Sequence, residues 1–325
     1  MVEENNNIMV SVICLTYNHE KYIEQALQGI LKQKTKFKYE VIVCNDASTD
    51  NTSVIVEKYR KEHPKLIKLI NKSQNEGGSK CLYDALSISR GKYLAGCEGD
   101  DFWIDELKLQ TQVDFLESHP EYVGCTHDVL LVDEGGTKRR GQYVSWLSNK
   151  RVYKPKDFKG IYLPGHASTA VRRNLFLLEG FDGSFIYKAD KNIGDRTLTL
   201  LWLNYGMFYK IKGKKSAYRV VRKKDAVNTT SKIYTLDKNG VLYDYNYILK
   251  LESYAKENMS LNVSFEYQKK NLFAKAVIKW LLGYGIENRE VAKRIMNESG
   301  QKFNYVLSLP YFVGKKIIHK IRNAV

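Results

Sequence analysis

Residues 8–15 form a nearly unbroken apolar run rich in β-branched side chains, interrupted only by Ser11. A run of that length and texture predicts a strand buried on both faces, as in a parallel sheet. It stops at Thr16-Tyr17-Asn18-His19, and the pattern then changes period. Tyr22, Ile23, Ala26, Leu27, Ile30 and Leu31 recur at helical spacing through residues 20–33. Residues 39–44 predict a second strand, which ends at Asn45-Asp46-Ala47-Ser48-Thr49-Asp50. Ser48 or Asp50 is positioned to cap the next helix, which carries Val54, Ile55 and Tyr59 and breaks at His63-Pro64.

Residues 65–70 alternate charged and apolar side chains, as an edge strand does. After the turn at Asn75-Glu76-Gly77-Gly78, Leu82, Ala85 and Leu86 mark one face of a helix that Gly91 ends. Residues 93–96 predict a short buried strand running into Glu98-Gly99-Asp100-Asp101. A helix capped by Asp105 and ending near Ser118 follows, then a strand over 122–132. Strands and helices alternating in this way predict an α/β fold with a doubly wound, mostly parallel sheet. In such a sheet the ligand lies beyond the carboxyl ends of the strands. Thr16-Tyr17-Asn18, Asn45-Asp46 and the 98–101 carboxylates would then share one crevice.

The second half of the chain is less regular. Residues 137–165 are basic and predict loops over the crevice; 167–178 predict a short helix, and 195–202 another. Residues 209–212 and 216–221 suggest a final hairpin. Beyond about residue 225 the texture becomes helical, over 242–258, 265–282 and 291–297. Two domains are expected: 1–225, and 226–325 as a helical extension. Residues 303–325 combine apolar side chains with Lys315, Lys316, Lys320 and Arg322, interrupted at Pro310 and Gly314. A basic amphipathic segment of this kind either lies on an anionic membrane or packs on its own domain.

Composition narrows the function classes. The formal net charge of +16 favours a polyanionic partner: nucleic acid, an anionic membrane surface or a phosphorylated substrate. The five cysteines are odd in number and form no C-x-x-C pair, which disfavours a zinc site or a disulfide framework. Buried free thiols suit a reducing compartment. No signal-peptide core and no apolar run long enough to span a bilayer are visible, so a cytoplasmic location is expected, at the inner face of the membrane if the tail binds lipid. No dinucleotide or P-loop glycine pattern follows the first strand. Three carboxylates within four residues repel one another near a sheet end, and a hard divalent cation such as Mn²⁺ or Mg²⁺ would relieve that conflict.

Val12-Ile13-Cys14-Leu15-Thr16-Tyr17-Asn18, residues 41–52, Asn75 with Gly77 and Lys80, Gly91-Lys92-Tyr93 and residues 97–103 together resemble the family 2 glycosyltransferases of the GT-A fold. A weaker likeness continues through His166-Ala167-Ser168-Thr169, Gly194-Asp195-Arg196 and Tyr218-Arg219. The resemblance implies an inverting, metal-dependent transfer of a sugar, from a UDP-sugar by expectation, to a glycan or lipid-linked acceptor of a surface polysaccharide. Thr16, Tyr17 and Asn18 would line the nucleoside pocket, with Asn75 beside the donor. Asp46 would accept from the base N3–H, since an ionised carboxylate only accepts. Lys80 would neutralise phosphate. Asp100 would hold the metal, Asp101 would hold the donor sugar or a metal-bound water, and Glu98 stands where the family has the first Asp of D-x-D. Asp195 would be the general base, with Asp190 in reserve, and His166 would meet the acceptor. Arg172, Arg219 and Arg222 are candidates for acceptor phosphates, against a solvated-surface role for each. A nucleotidyltransferase of similar sheet, or a non-catalytic protein using its basic surface on nucleic acid, are the alternatives. No nucleic-acid module is visible, and the positive charge is dispersed.

Overall fold

The computed structural model describes residues 8–139, 144, 146–221, 240–261 and 263–324, with side chains as far as Ile317. Arg222 lies outside these residues. The described residues form two compact units, one from 8–138, 147–154 and 163–220, the other from the described parts of 139–146, 155–162 and 221–325.

In the first unit β1 (Ile8–Thr16), β2 (Lys38–Asn45), β3 (Ile67–Asn71) and β4 (Tyr93–Gly96) are parallel, in the order 3-2-1-4. The crossovers are α1 (Ile23–Leu31), α2 (Thr52–Glu62) and α3 (Gly78–Ser87). β3 is the edge strand its alternation predicted. Strand order reverses between β1 and β4, and a crevice opens at such a switch point. On one sheet face Val10, Val12 and Cys14 pack against Ile23, Leu27 and Ile30 and against α4 (Lys108–Ser118) through Leu109, Val113 and Leu116. All five cysteines are buried free thiols.

The sheet continues as a mixed one. After β4 come β8 (Val171–Arg173), β6 (Tyr122–Val132), β9 (Met207–Arg219) and β5 (Phe102–Trp103), with β7 (Val152–Tyr153) also on β9. β8 is antiparallel to both β4 and β6, while β6 and β9 are parallel. The helix expected over 167–178 is instead two 3-10 turns flanking β8. Arg172-Arg173 masks the strand, because charged side chains seldom lie between two neighbouring strands. The hairpin expected at 209–221 is one continuous strand. Gly213-Lys214-Lys215 reads as a turn, yet Gly213 takes φ +97° and the pairing with β6 shifts register there, so the glycine bends the strand without ending it.

The cap of α2 also differs in detail. Asp50 accepts the Thr52 N–H, whereas the Ser48 hydroxyl donates to Asn45 Oδ1 and accepts the Asn18 N–H. Two short helices complete the unit: α5 (Phe185–Ala189) and α6 (Asp195–Leu203).

The second unit holds α7 (Gly240–Asn258), α8 (Glu266–Leu281), α9 (Glu287–Glu298) and α10 (Lys302–Ala324). The tail was expected to break at Pro310 and Gly314, but α10 runs through both. Pro310 is exposed, so water can satisfy the carbonyl that loses its helical donor.

Candidate active site

The switch point is built from backbone first. The Asp46 N–H donates to the Thr16 carbonyl, and the Cys97 and Gly99 N–H groups donate to the Ile13 and Leu15 carbonyls. The ends of β1, β2 and β4 are therefore stitched together. A side chain at Gly99 would place its Cβ 2.8 Å from Thr16 Oγ1 and 2.9 Å from His19 Nδ1. Only glycine lets the acidic turn lie against β1. Those two atoms are buried and have no hydrogen-bond partner among the described residues.

Asp46 is buried at the end of β2 and receives the Glu76 N–H at 2.8 Å and the Gly77 N–H at 2.9 Å. Asn75 closes the turn by donating to the Asp46 carbonyl. Asn18 takes φ +55° and accepts the Thr49 N–H, so it braces the β1 and β2 loops together. Tyr17, between Thr16 and this brace, is partly buried. Lys80 pairs with Asp84 and lies over the rings of Tyr83 and Tyr187.

The acidic turn is clamped from behind. Phe102 and Trp103 pair with Ala217 and Ser216 of β9. Asp101 is fully buried; one oxygen accepts the Ser168 hydroxyl at 2.6 Å and the other the Arg219 N–H at 3.0 Å. The Ser168 hydroxyl also accepts the Glu98 N–H, and its carbonyl accepts the Trp103 indole N–H. Arg219 is buried too, contrary to the phosphate-binding and solvated-surface roles considered for it. Its guanidinium donates to the carbonyls of Asp100 and Glu134 and to Gln25, and stacks on Tyr22.

His166 is 3% exposed and stacks on Tyr218 at 4.2 Å. Its Nδ1 accepts the Ser168 N–H and lies 3.3 Å from Asp101, while Nε2 lies 3.6 Å from Glu98. Burial holds the imidazole below its ordinary pKa, against the pull of Asp195 and Asp100. Burial, then the charges of Asp195, Asp101 and Asp100, pushes the Glu98 carboxyl well above its usual range. Burial and Asp100 do the same to Asp101, opposed by Ser168 and Arg219.

These raised carboxyls mark a place where positive charge is missing. Glu98, Asp101 and His166 each offer one ligand atom, all within 4.8 Å of one another. Two carboxylates and an imidazole fit a divalent transition ion such as Mn²⁺ better than Mg²⁺, which prefers oxygen alone. Asp100 is not in that set; it is 19% exposed, and His19 Nε2 stands 3.9 Å away.

Asp195 begins α6 on the wall that also carries Glu98. Among the described residues its carboxylate has no hydrogen-bond partner. Asp190 differs: one of its oxygens accepts the Asn192 and Ile193 N–H groups, which fixes the loop before α6. The sequence assigned no role to His19, Ser168 or Tyr218, although Ser168 and Tyr218 fall in the segments of weaker likeness. His19 lies within the first polar cluster and Ser168 two residues after His166, so adjacency was the available signal.

The family model "Glycosyl transferase family 2" matches residues 11–177. The putative glycosyltransferase EpsE of Bacillus subtilis is 28% identical over 90% of this chain and 97% of its own. An uncharacterised Mycobacterium tuberculosis protein is 45% identical over 40% of this chain; the matched part spans 37% of that relative's length. Among solved structures, residues 1–349 of Staphylococcus aureus TarS superpose with a TM-score of 0.57 at 20% identity, covering 91% of this chain and 81% of that one. That likeness supports the GT-A fold. The carboxylate-lined switch point thus sits in a chain that belongs to glycosyl transferase family 2.

Proposed function

We propose that the chain is an inverting glycosyltransferase that moves a sugar from a nucleoside-diphosphate donor to a hydroxyl of a glycan or lipid-linked acceptor. The observation that carries this reading is the Asp195 carboxylate, unpartnered among the described residues, on the same wall as Glu98 at the strand switch point. A general base must lie within reach of the attacking hydroxyl, and Asp195 lines the same wall as Glu98, whereas Asp190 braces the loop before α6 through the Asn192 and Ile193 N–H groups.

The donor is expected to be a UDP-sugar. A solved TarS complex contains UDP-GlcNAc, which supports uridine as the base. Asp46 keeps lone pairs for a base N–H even while it holds the 76–77 turn, because a carboxylate has about four acceptor positions. Thr16, Tyr17, Asn18 and Asn75 line the nucleoside side, and Lys80 swings from Asp84 toward phosphate. Glu98, Asp101 and His166 would hold the divalent cation, and Asp100, next to Asp101 in the acidic turn, would join them. Bound there, the cation supplies Lewis-acid stabilisation of the charge on the leaving diphosphate. Asp195 takes the proton from the acceptor hydroxyl as that oxygen attacks the anomeric carbon opposite the leaving group. The acceptor belongs to surface-polysaccharide assembly at the inner membrane face. The family match favours sugar transfer over nucleotidyl transfer or nucleic-acid binding.

The test is release of UDP from UDP-sugars with and without Mn²⁺. Asp100→Ala and Asp195→Asn are each expected to abolish turnover. Full activity in both variants would overturn the reading.

A further inference from the structure

Behind the carboxylate wall lies a cavity of about 50 Å³ between the sheet and helices α3 and α6. Leu82, Leu86, Leu94, Leu198 and Trp202 make its surface mostly apolar. One charged group enters it from the sheet. Arg172 of β8 stands opposite Leu94 of β4 and is 7% exposed. Among the described residues its guanidinium has no side-chain hydrogen bond and no ion pair, and its Nε is buried without a partner. Burial lowers its pKa to about 10, with the charge of Asp195 acting the other way. A buried donor without an acceptor costs on the order of 1–3 kcal/mol, so it implies a group that arrives with the ligand.

The surroundings limit what that group is. Glu98 and Asp195 sit on the same lining. A full anion entering there would face Asp195, whereas a neutral acceptor would not. The walls call for carbon on the far side. On this measure a water needs roughly 10–15 Å³, so the space suits about four heavy atoms. An acylamino group of nitrogen, carbonyl carbon, oxygen and methyl has that size and that division of polarity. Resting on the donor reading above, we infer that the cavity is an acylamino pocket: the enzyme takes a 2-acetamido-hexose donor, Arg172 donating to the amide carbonyl and the leucines covering the methyl.

The experiment is calorimetric titration of the full chain with Mn²⁺ against UDP, UDP-N-acetylglucosamine, UDP-N-acetylgalactosamine, UDP-glucose, UDP-glucuronate and GDP-mannose. At least one acetamido donor is expected to bind about tenfold or more tighter than UDP-glucose. Arg172→Met should shrink that ratio to near one and leave UDP affinity unchanged. Leu82→Phe, which fills the cavity from α3, should weaken the acetamido donors and spare UDP-glucose. Retained UDP binding shows that each variant is folded. UDP-glucose binding as tightly as both acetamido donors, UDP-glucuronate binding tightest, or a ratio that neither variant moves would overturn the pocket and leave the donor reading intact. Tight GDP-mannose with no uridine ligand would also overturn the pocket, while keeping sugar transfer. No binding by any of these ligands would remove both.

Discussion

The strand tips of the first unit and helix α10 of the second depart from hydrophobic sorting in opposite directions. At the tips, Asp46, Asp101, His166 and Arg219 are polar and buried. On α10, Phe303, Val306, Leu307, Tyr311 and Ile317 are apolar and exposed, while Tyr305 and Phe312 on the same helix are covered. Buried polar groups and exposed apolar faces are the informative departures in a folded chain. At the tips the cost of burial is met by named partners, so position is fixed and chemistry becomes possible. On α10 the stripe at 303, 307 and 311 follows helical spacing and points outward. One region is built to hold a small ligand; the other offers a surface.

The sharpest way to break this contrast is at the free carboxylate. Asp195→Asn should lower turnover by on the order of 10²–10⁴-fold while UDP binding stays near wild type. A loss confined to donor affinity would move Asp195 from base to binding residue. Next comes the fully partnered side. Glu40 is buried at the N-terminal half of β2 and accepts from the Ser11 hydroxyl, the Arg90 N–H and the Arg90 guanidinium, with Lys68 beside it. Glu40→Ala leaves those donors without their acceptor, and denaturant unfolding should show a loss of about 2–3 kcal/mol. The partners Arg90 and Lys68 are half exposed, which keeps the loss below that of a sealed ion pair. Unchanged stability would mean that water replaces the whole network.

How far the sequence disclosed these regions follows from the same physics. The strands β1, β2 and β4 were legible because burial on both faces demands continuous apolar runs, and their polar ends mark where the sheet stops. β8 was not, since Arg172 and Arg173 look like surface. Arg172 instead enters a cavity, and Arg173 spends its guanidinium on the carbonyls of Leu116 and Tyr122. Those contacts are distant in sequence, and no local period records them. The roles of Asp100 and Asp195 were named through resemblance alone. The role of Ser168, which ties Glu98, Asp101 and Trp103 together, depends on a loop folding back across about 70 residues. The continuity of α10 through Pro310 was hidden because the local rule for proline assumes that the freed carbonyl has no water.

A pH titration separates the two kinds of shifted carboxyl within the first unit. Burial alone would raise Glu40, but the bonds from Arg90, Ser11 and Lys68 prevail and hold it below its usual range. A depressed carboxyl contributes stability above its unfolded pKa, and that contribution is lost as pH falls through its folded value. Glu98 and Asp101 are raised. Their contribution is present below the unfolded carboxylate pKa and is lost as pH climbs through their folded values. Without metal, Tm is therefore expected to fall on both sides, and added Mn²⁺ should lift only the alkaline side. Glu40→Gln should flatten the acid limb and leave the Mn²⁺ effect in place. A Mn²⁺ effect of equal size at acid pH would place the ion away from these carboxyls.

The smallest expected effect tests the surface. Among the described residues no helix is long and apolar enough to cross a membrane, so any contact made by α10 would be along a face. Lys302 and Lys315 flank the stripe, the Lys315 ammonium donating to the Tyr162 and Tyr267 hydroxyls, while burial together with Lys275 and Lys279 brings the partly buried Lys316 down to about 8. A positive face beside exposed aromatic and aliphatic side chains suits an anionic leaflet, where carbon enters the interface and the ammonium groups stay among phosphates. Leu307→Ser removes one side chain from the middle of the stripe. Leu307 is 61% exposed, so the fold loses little by the change. Partition onto vesicles containing anionic lipid should weaken by on the order of tenfold, the worth of burying one leucine, while turnover on a water-soluble acceptor should not change. Equal partition of variant and wild type would show that the stripe faces something other than lipid, and a fall in soluble turnover would show that α10 serves the catalytic unit.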